Sequence, residues 1–140
     1  MIEEIVVTHL KRIHVHNGDV LHGMKKTDDG YSDFGEIYFS YILKDKIKAW
    51  KIHKKMTLNL IVPFGSVRFN FIQLNSEELI DKRMEITVSS DNYCRITVPP
   101  NIIFGFKGMG ENTSIIANIA DITHSDGEVR KIDINKFEFK

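Results

Sequence analysis

Short apolar runs, each bounded by glycine, proline or an Asn/Asp turn pair, recur about every ten residues along almost the whole chain. Within these runs apolar and polar residues alternate with the period of two that a β-strand imposes, as in Ile47–His53 and Ser66–Ile72. The one helical signal is a capping-box pattern at Ser76, which predicts a single helical turn over 76–82. Many short strands at this spacing predict an all-β sandwich or barrel.

The turns between the strands are predicted at pairs such as Asn17-Gly18 and Asp91-Asn92. The tail from Ile132 to Phe139 also alternates, which predicts a last strand on a sheet edge of this chain or of a second subunit. The remaining strands are expected near Ile2–Thr8, Asp19–Met24, Gly35–Leu43, Ile47–His53, Thr57–Val62, Ser66–Ile72, Met84–Val88, Cys94–Val98 and Ser114–Ile122.

Size and charge limit the classes of function. A chain of 140 residues with 42% hydrophobic content predicts one domain spanning residues 1–140. Lys plus Arg and Asp plus Glu are equal at 19 each, so no overall field favours nucleic acid or an anionic membrane. The acidic start of the chain and the lack of a long apolar run predict a cytoplasmic protein. The single cysteine, Cys94, cannot form an internal disulfide and is expected to fill space in a strand.

His53 is the best candidate for chemistry. An imidazole titrates close to neutral pH, so a partly buried one could remove the proton beside a ketone without a cofactor. The enolate formed would need a cation nearby, and Lys48, Lys51 and Lys55 are candidates to supply it. The alternative is that His53 only packs at the end of a strand.

A metal centre is not expected. The histidine sites of small β-barrels pair two histidines one residue apart with a glutamate and a later histidine. Here Lys51, Thr57 and Phe104 stand at the places of three of those four ligands, and Lys51 would repel a cation. The sequence therefore predicts neither a metal nor another cofactor.

Several polar and aromatic residues are candidates to bind a substrate. Trp50 offers a flat surface for a sugar or base, although an ideal strand places it opposite His53 unless a bulge intervenes. On the preceding strand one face carries hydrogen-bonding groups, which point to solvent or into a ligand cavity, and Tyr38 favours the cavity. That face is formed by Glu36, Tyr38 and Ser40. Asn59 and Asn118 interrupt apolar strands, and buried amides require partners.

The order and spacing of four segments carry a family resemblance. The segments are Ile47–His53, Gly65-Ser66-Val67, Ser89–Asn92 and Val98–Phe106. Together they resemble the dTDP-4-dehydrorhamnose 3,5-epimerase family of jelly-roll cupins, and more closely its short epimerase-related relatives. The resemblance implies a double-stranded β-helix (jelly-roll) barrel, a metal-free site, a nucleotide-linked keto-sugar as ligand, and a homodimer built by exchange of N-terminal strands.

Position by position, the resemblance places the family's catalytic base at His53. Other functional positions differ: the family's arginine falls on Trp50, its late histidine on Phe104, and the tyrosine that returns the proton on Ala117. The aspartate that pairs with the family's histidine comes from a C-terminal segment in which no equivalent is found. Related sugar 3,4-ketoisomerases align through His53 and carry a second histidine where this chain has Lys51.

The resemblance therefore implies epimerisation or isomerisation of a dTDP-linked, or other nucleotide-linked, 4-keto-6-deoxy sugar during deoxysugar or polysaccharide biosynthesis. His53 would remove the proton next to the ketone. The alternatives are a 3,4-ketoisomerase and a non-catalytic cupin that binds a nucleotide sugar or a glycan.

Overall fold

Two antiparallel five-stranded sheets face each other in the computed structural model, which describes all 140 residues. The first sheet has the order β1-β9-β6-β11-β4, the second has the order β12-β5-β10-β7-β8, and β2 pairs with β3 as a separate hairpin. This is the all-β jelly-roll predicted from the sequence. The strands are β1 Val6–His9, β2 Arg12–Ile13, β3 Val20–Leu21, β4 Glu36–Ile42, β5 Ile47–His53, β6 Leu58–Phe64, β7 Val67–Leu74, β8 Ile80–Val88, β9 Cys94–Val98, β10 Ile103–Gly108, β11 Ser114–Ala120 and β12 Val129–Lys131.

The main core lies between the two sheets. Alternate residues of β6, β7 and β9 point inward, so Leu58, Leu60, Phe69, Phe71 and Ile96 are almost completely buried. Cys94 is also fully buried in this core. Close packing of these side chains fixes the separation of the sheets. Towards the sheet edges, at β4 and at the β12–β5 pair, this packing stops and a cavity begins.

The segment before β4 covers the outer face of the first sheet at β6 and β9. The hydroxyl of Tyr93 donates to the carbonyl of His22, and the fully buried Arg95 donates to the carbonyls of Gly23 and Asp29 and to the carboxylate of Asp28. These hydrogen bonds hold the segment down. The outer face of β4 remains uncovered.

The C-terminal segment covers the outer face of the second sheet. β12 pairs with the edge of β5, a 3₁₀ turn follows at Ile134–Lys136, and the chain then crosses the sheet. The predicted strand over Ile132–Phe139 is therefore wrong. Its alternation reflects the packing of Phe137 and Phe139 on Trp50, with ring centroids 6.1 and 5.8 Å away.

Trp50 can report on this cover because it is the only tryptophan and is 1% exposed. Replacing both Phe137 and Phe139 by alanine should admit water to the indole, shift its fluorescence to longer wavelength and lower the free energy of unfolding by about 2 to 4 kcal/mol. Fluorescence spectra and urea titrations measure both effects. Phe34→Ala, which alters an exposed ring elsewhere, is the control. An unchanged emission maximum in the double variant would contradict this packing.

Other local expectations differ from the structure. No helix forms after Ser76, because the Asn75 side chain accepts hydrogen bonds from the backbone N–H groups of Glu77 and Leu79 and closes a turn in which Glu78 has a φ of 60°. The strands β2, β10 and β12 were not predicted, since each is short or contains glycine. No helix is both long enough and apolar enough to cross a bilayer.

Candidate functional site

A cavity of about 590 Å³ opens between the two sheets, where the edge strand β4 faces the β12–β5 pair. Both sheets contribute inward-facing side chains, and the segment after β12 closes one side. The lining residues are Tyr38, Ser40, Lys48, Ala49, Trp50, Lys51, His53, Leu60, Phe104, Phe106, Ile116, Asn118, Lys131, Ile132, Asp133 and Ile134. The mixture of apolar wall and a few polar groups is typical of a small-molecule site.

His53 lies in the wall of this cavity at the end of β5. The residue is 6% exposed, and its ring stacks on Phe104 at a centroid distance of 6.0 Å. The Nδ1 atom lies 2.8 Å from Oε2 of Glu128, which is itself only 4% exposed. The histidine is therefore oriented by a buried carboxylate.

Glu128 is held in its ionised form by hydrogen bonds. Burial acts to raise its pKa, but the hydrogen bond from His53 and those from the backbone N–H groups of Met56 and Lys55 outweigh burial, so the pKa lies below the ordinary value of 4.5. The two backbone groups donate to Oε1 over 2.8 and 3.1 Å. An ionised carboxylate can only accept, so Nδ1 of His53 carries the proton. In the neutral imidazole the lone pair is then on Nε2, as a general base requires.

Three lysines line the same side of the cavity as His53. Lys51 is two residues before His53 on β5, and Lys131 on β12 is the register partner of Lys51. Lys48 faces the cavity on the other side of the bulge. None of the three has a carboxylate within salt-bridge distance. Burial lowers the pKa of Lys51, and the charges of Lys131 and Lys48 lower it further. The cluster provides an anion-binding field beside the base.

The opposite wall belongs to the first sheet. Tyr38 on β4 and Asn118 on β11 are register partners, and the Asn118 amide donates to the Tyr38 hydroxyl over 3.1 Å. Burial raises the pKa of Tyr38, and the negative charges of Glu36 and Glu128 raise it further. Ser40, two residues after Tyr38 on the same face of β4, also lines the cavity. This wall thus presents neutral hydrogen-bonding groups opposite the base.

Three of the residues expected to bind substrate lie outside the cavity. The Lys55 side chain is exposed, and the residue contributes only its backbone N–H, to Glu128. Glu36 accepts a hydrogen bond from the backbone of His124. Asn59 faces the outer side of the first sheet, where it donates to the carbonyl of Gly30 and accepts from Thr97. Their positions reflect the pleat and the strand ends, which the sequence alone did not fix.

Trp50 lies at a bulge in β5, but the bulge does not turn its indole into the cavity with His53. The pairing of β5 with β10 skips Trp50, since Lys51 pairs with Phe104 and Ala49 with Gly105. The indole turns to the outer face and donates to the carbonyl of Ile134 over 3.3 Å, so Trp50 borders the cavity only at its edge. A Cβ at Gly105 would lie 2.9 Å from this ring, which explains the glycine there.

The chain contains no cluster of three or more His, Cys, Asp or Glu side chains that could hold a metal ion. Glu128 is the partner of His53 that the sequence did not identify. It follows the Asp126-Gly127 turn and lies 75 residues from His53, so only the pairing of β12 with β5 brings the two together. It supplies, from the C-terminal segment, the carboxylate for which no equivalent was found in the sequence.

Comparison with known proteins agrees with this architecture. No protein-family model and no curated protein matches the sequence. Among solved structures, a dTDP sugar isomerase from Desulfovibrio desulfuricans G20 superposes with a TM-score of 0.90 and 31% identity, over 96% of this chain and 87% of that one.

Two more distant structures share the fold. One is the dTDP-4-dehydrorhamnose 3,5-epimerase from Sulfolobus tokodaii, with a TM-score of 0.82 and 17% identity over 96% of this chain and 80% of that one. The other is the sugar 3,4-ketoisomerase QdtA from Thermoanaerobacterium thermosaccharolyticum in complex with TDP, with a TM-score of 0.77 and 18% identity over 94% and 90%. The likeness to the Desulfovibrio protein, at 31% identity along nearly the whole chain, shows that this chain belongs to the dTDP-sugar isomerase and epimerase family of jelly-roll cupins.

Proposed function

We propose that this chain catalyses epimerisation or isomerisation of a dTDP-linked 4-keto-6-deoxy sugar, without a metal or other cofactor, by removing the proton next to the ketone. The observation that carries the proposal is the buried His53–Glu128 pair in the wall of a cavity. The carboxylate holds the imidazole in the tautomer whose Nε2 can accept a proton. A histidine that only packed at a strand end would not line a cavity.

The substrate class is supported by the family and by the shape of the site. The relative from Desulfovibrio is a dTDP sugar isomerase, and QdtA was solved with TDP. In this chain Lys48, Lys51 and Lys131, none of which pairs with a carboxylate, provide positive charge for the enolate or for the diphosphate of such a ligand. We expect the sugar to lie beside His53.

The test is proton exchange in heavy water. Purified protein incubated with dTDP-4-keto-6-deoxyglucose in D₂O should introduce deuterium at a carbon adjacent to the ketone, observed by proton NMR. Incorporation, followed by a new set of sugar signals, would support the enzyme. If the nucleotide sugar binds in a titration but no deuterium enters, the chain is a non-catalytic binding protein.

The lysine beside the base offers a further prediction. Lys51→Met should reduce the rate of exchange by about 10²-fold, because it removes the cation closest in sequence to the base on the cavity side of β5. The matched control is Lys55→Met, four positions along, whose side chain lies outside the cavity and should leave the rate unchanged. Equal rates for the two variants would remove Lys51 from the proposed site.

We also propose that the protein is a homodimer. β4 is a sheet edge, and its outer face exposes Ile37, Phe39 and Tyr41, the last two by 63% each. In the single chain β1 lies on the other edge of the same sheet, paired with β9; an exchange of N-terminal strands between copies would place it on the partner's β9.

Sedimentation measures this assembly directly. The unaltered chain should sediment at twice the mass of one chain, and Phe39→Glu should shift it toward the monomer, because a charge in an apolar interface is costly. Lys44→Glu, an exposed change just beyond the same strand, is the control. A monomer at all concentrations would contradict the proposal.

A further inference from the structure

The carbonyl oxygen of Asn118 is a buried polar atom without a partner. Asn118 is 6% exposed and lines the cavity. Its Nδ2 donates to the hydroxyl of Tyr38, but its Oδ1 has no hydrogen bond. Buried polar atoms are almost always paired, so this unpaired acceptor in the cavity wall needs a donor that the chain itself does not supply. A sugar hydroxyl is such a donor.

The same amide also decides what Tyr38 can do. Because the Tyr38 oxygen already accepts a hydrogen bond from the Asn118 amide, its own O–H hydrogen must point to another acceptor. Tyr38 lines the cavity, and its phenol is protonated at neutral pH, since the ordinary pKa of 10.0 is raised further by burial. Its phenol is therefore a donor aimed at the space between the sheets.

The positions of Tyr38 and His53 set the direction of proton delivery. His53 belongs to the second sheet and Tyr38 to the first, so a sugar between them has the base on one side and the phenol on the other. The position on β11 expected to carry the returning tyrosine holds Ala117, and the adjacent residue Asn118 pairs in register with Tyr38 on β4. The phenol is thus supplied by the neighbouring strand.

We infer that Tyr38, positioned by Asn118, is the proton donor of this site and that the reaction inverts one carbon next to the ketone. This inference rests on the proposed function. His53 Nε2 takes the hydrogen as a proton, the C–H electron pair enters the enolate, and the Tyr38 O–H protonates the same carbon from the opposite face. The imidazolium then loses its proton to water and the phenolate regains one, so the cycle balances. Asn118 acts through Tyr38 and through a substrate hydroxyl.

The experiment separates inversion from exchange. With dTDP-4-keto-6-deoxyglucose in D₂O, the unaltered protein should give an inverted product that carries deuterium. Tyr38→Phe should slow inversion by about 10²-fold or more, while His53 still returns deuterium to the original face and labels unreacted substrate. Asn118→Ala should lower the ratio of inversion to labelling and raise KM. Tyr41→Phe, the same change on the outer face of the same strand, should match the unaltered protein.

The outcomes distinguish this inference from the proposed function. Inversion at the unaltered rate by Tyr38→Phe, with labelling intact, would overturn the role of Tyr38 and leave the proposed function standing. If the keto group moves to the next carbon and no inverted product forms, the proton is removed and returned from the His53 side of the cavity alone. That result would also overturn the role of Tyr38. If the unaltered protein labels nothing, the proposed function fails and this inference fails with it.

Discussion

Replacing His53 by asparagine is expected to slow deuterium entry into the keto-sugar by about 10² to 10⁴-fold, which corresponds to about 3 to 5 kcal/mol in the activation barrier. Asparagine can still donate to Glu128, so the cavity wall keeps its shape, but its amide cannot take up a proton. NMR in D₂O measures the rate, and thermal unfolding verifies that the variant is folded.

The control for this variant is His124→Asn. His124 is exposed and contacts Asp126 rather than the cavity. The same chemical change there should leave exchange untouched. A His53→Asn protein that exchanges at the unaltered rate would show that some other group removes the proton.

Two substitutions of Glu128 should separate its contribution to stability from its contribution to activity. Glu128→Ala removes the acceptor for the backbone N–H groups of Lys55 and Met56 and for His53, so the free energy of unfolding should fall by about 3 kcal/mol. Glu128→Gln can keep Oε1 for the backbone, but its amide N–H₂ would face Nδ1 of His53. Nδ1 must then accept, the ring proton moves to Nε2, and the base is lost.

Glu128→Gln should therefore unfold near the unaltered denaturant concentration, with exchange reduced by about 10²-fold or more. Urea titration and NMR exchange measure the two properties on the same samples. If Glu128→Gln exchanged normally, the carboxylate would have no part in setting the tautomer of His53.

The same carboxylate predicts how stability depends on pH. Its pKa is lowered on folding, so its contribution is fully present above its ordinary value of 4.5 and is lost as the pH falls through the lower value of the folded state. Glu128→Gln should lack this part of the loss in acid. Parallel acid unfolding curves for the two proteins would contradict the buried ionised state of Glu128.

The alternation of apolar residues predicted most of the fold. β5 and β9 begin and end where the pattern indicated, because half-buried strands impose a period of two. β10 was missed because Gly105 and Gly108 interrupt its pattern, and both glycines are explained only by close contacts, with Trp50 and with the backbone at Leu43. Such contacts arise from tertiary packing and leave no local signal.

The site was predicted only in part for the same reason. Tyr38 and Ser40 share the inward face of β4 and Lys51 shares the inward face of β5 with His53, as strand periodicity can identify, and the structure brings both faces to one cavity. Glu128 reaches His53 through strand pairing across 75 residues, and no local pattern encodes that pairing. A strand was wrongly predicted for the C-terminal tail, because apolar residues that pack on a tryptophan can alternate with polar residues as those of a strand do.

The most direct measurement is a crystal structure of the protein with a bound dTDP-4-keto-6-deoxy sugar. The account predicts that Nε2 of His53 lies about 3 to 3.5 Å from a carbon adjacent to the ketone, with Nδ1 still bonded to Glu128. A sugar bound outside the cavity between the sheets, or one whose keto group is turned away from His53, would contradict it.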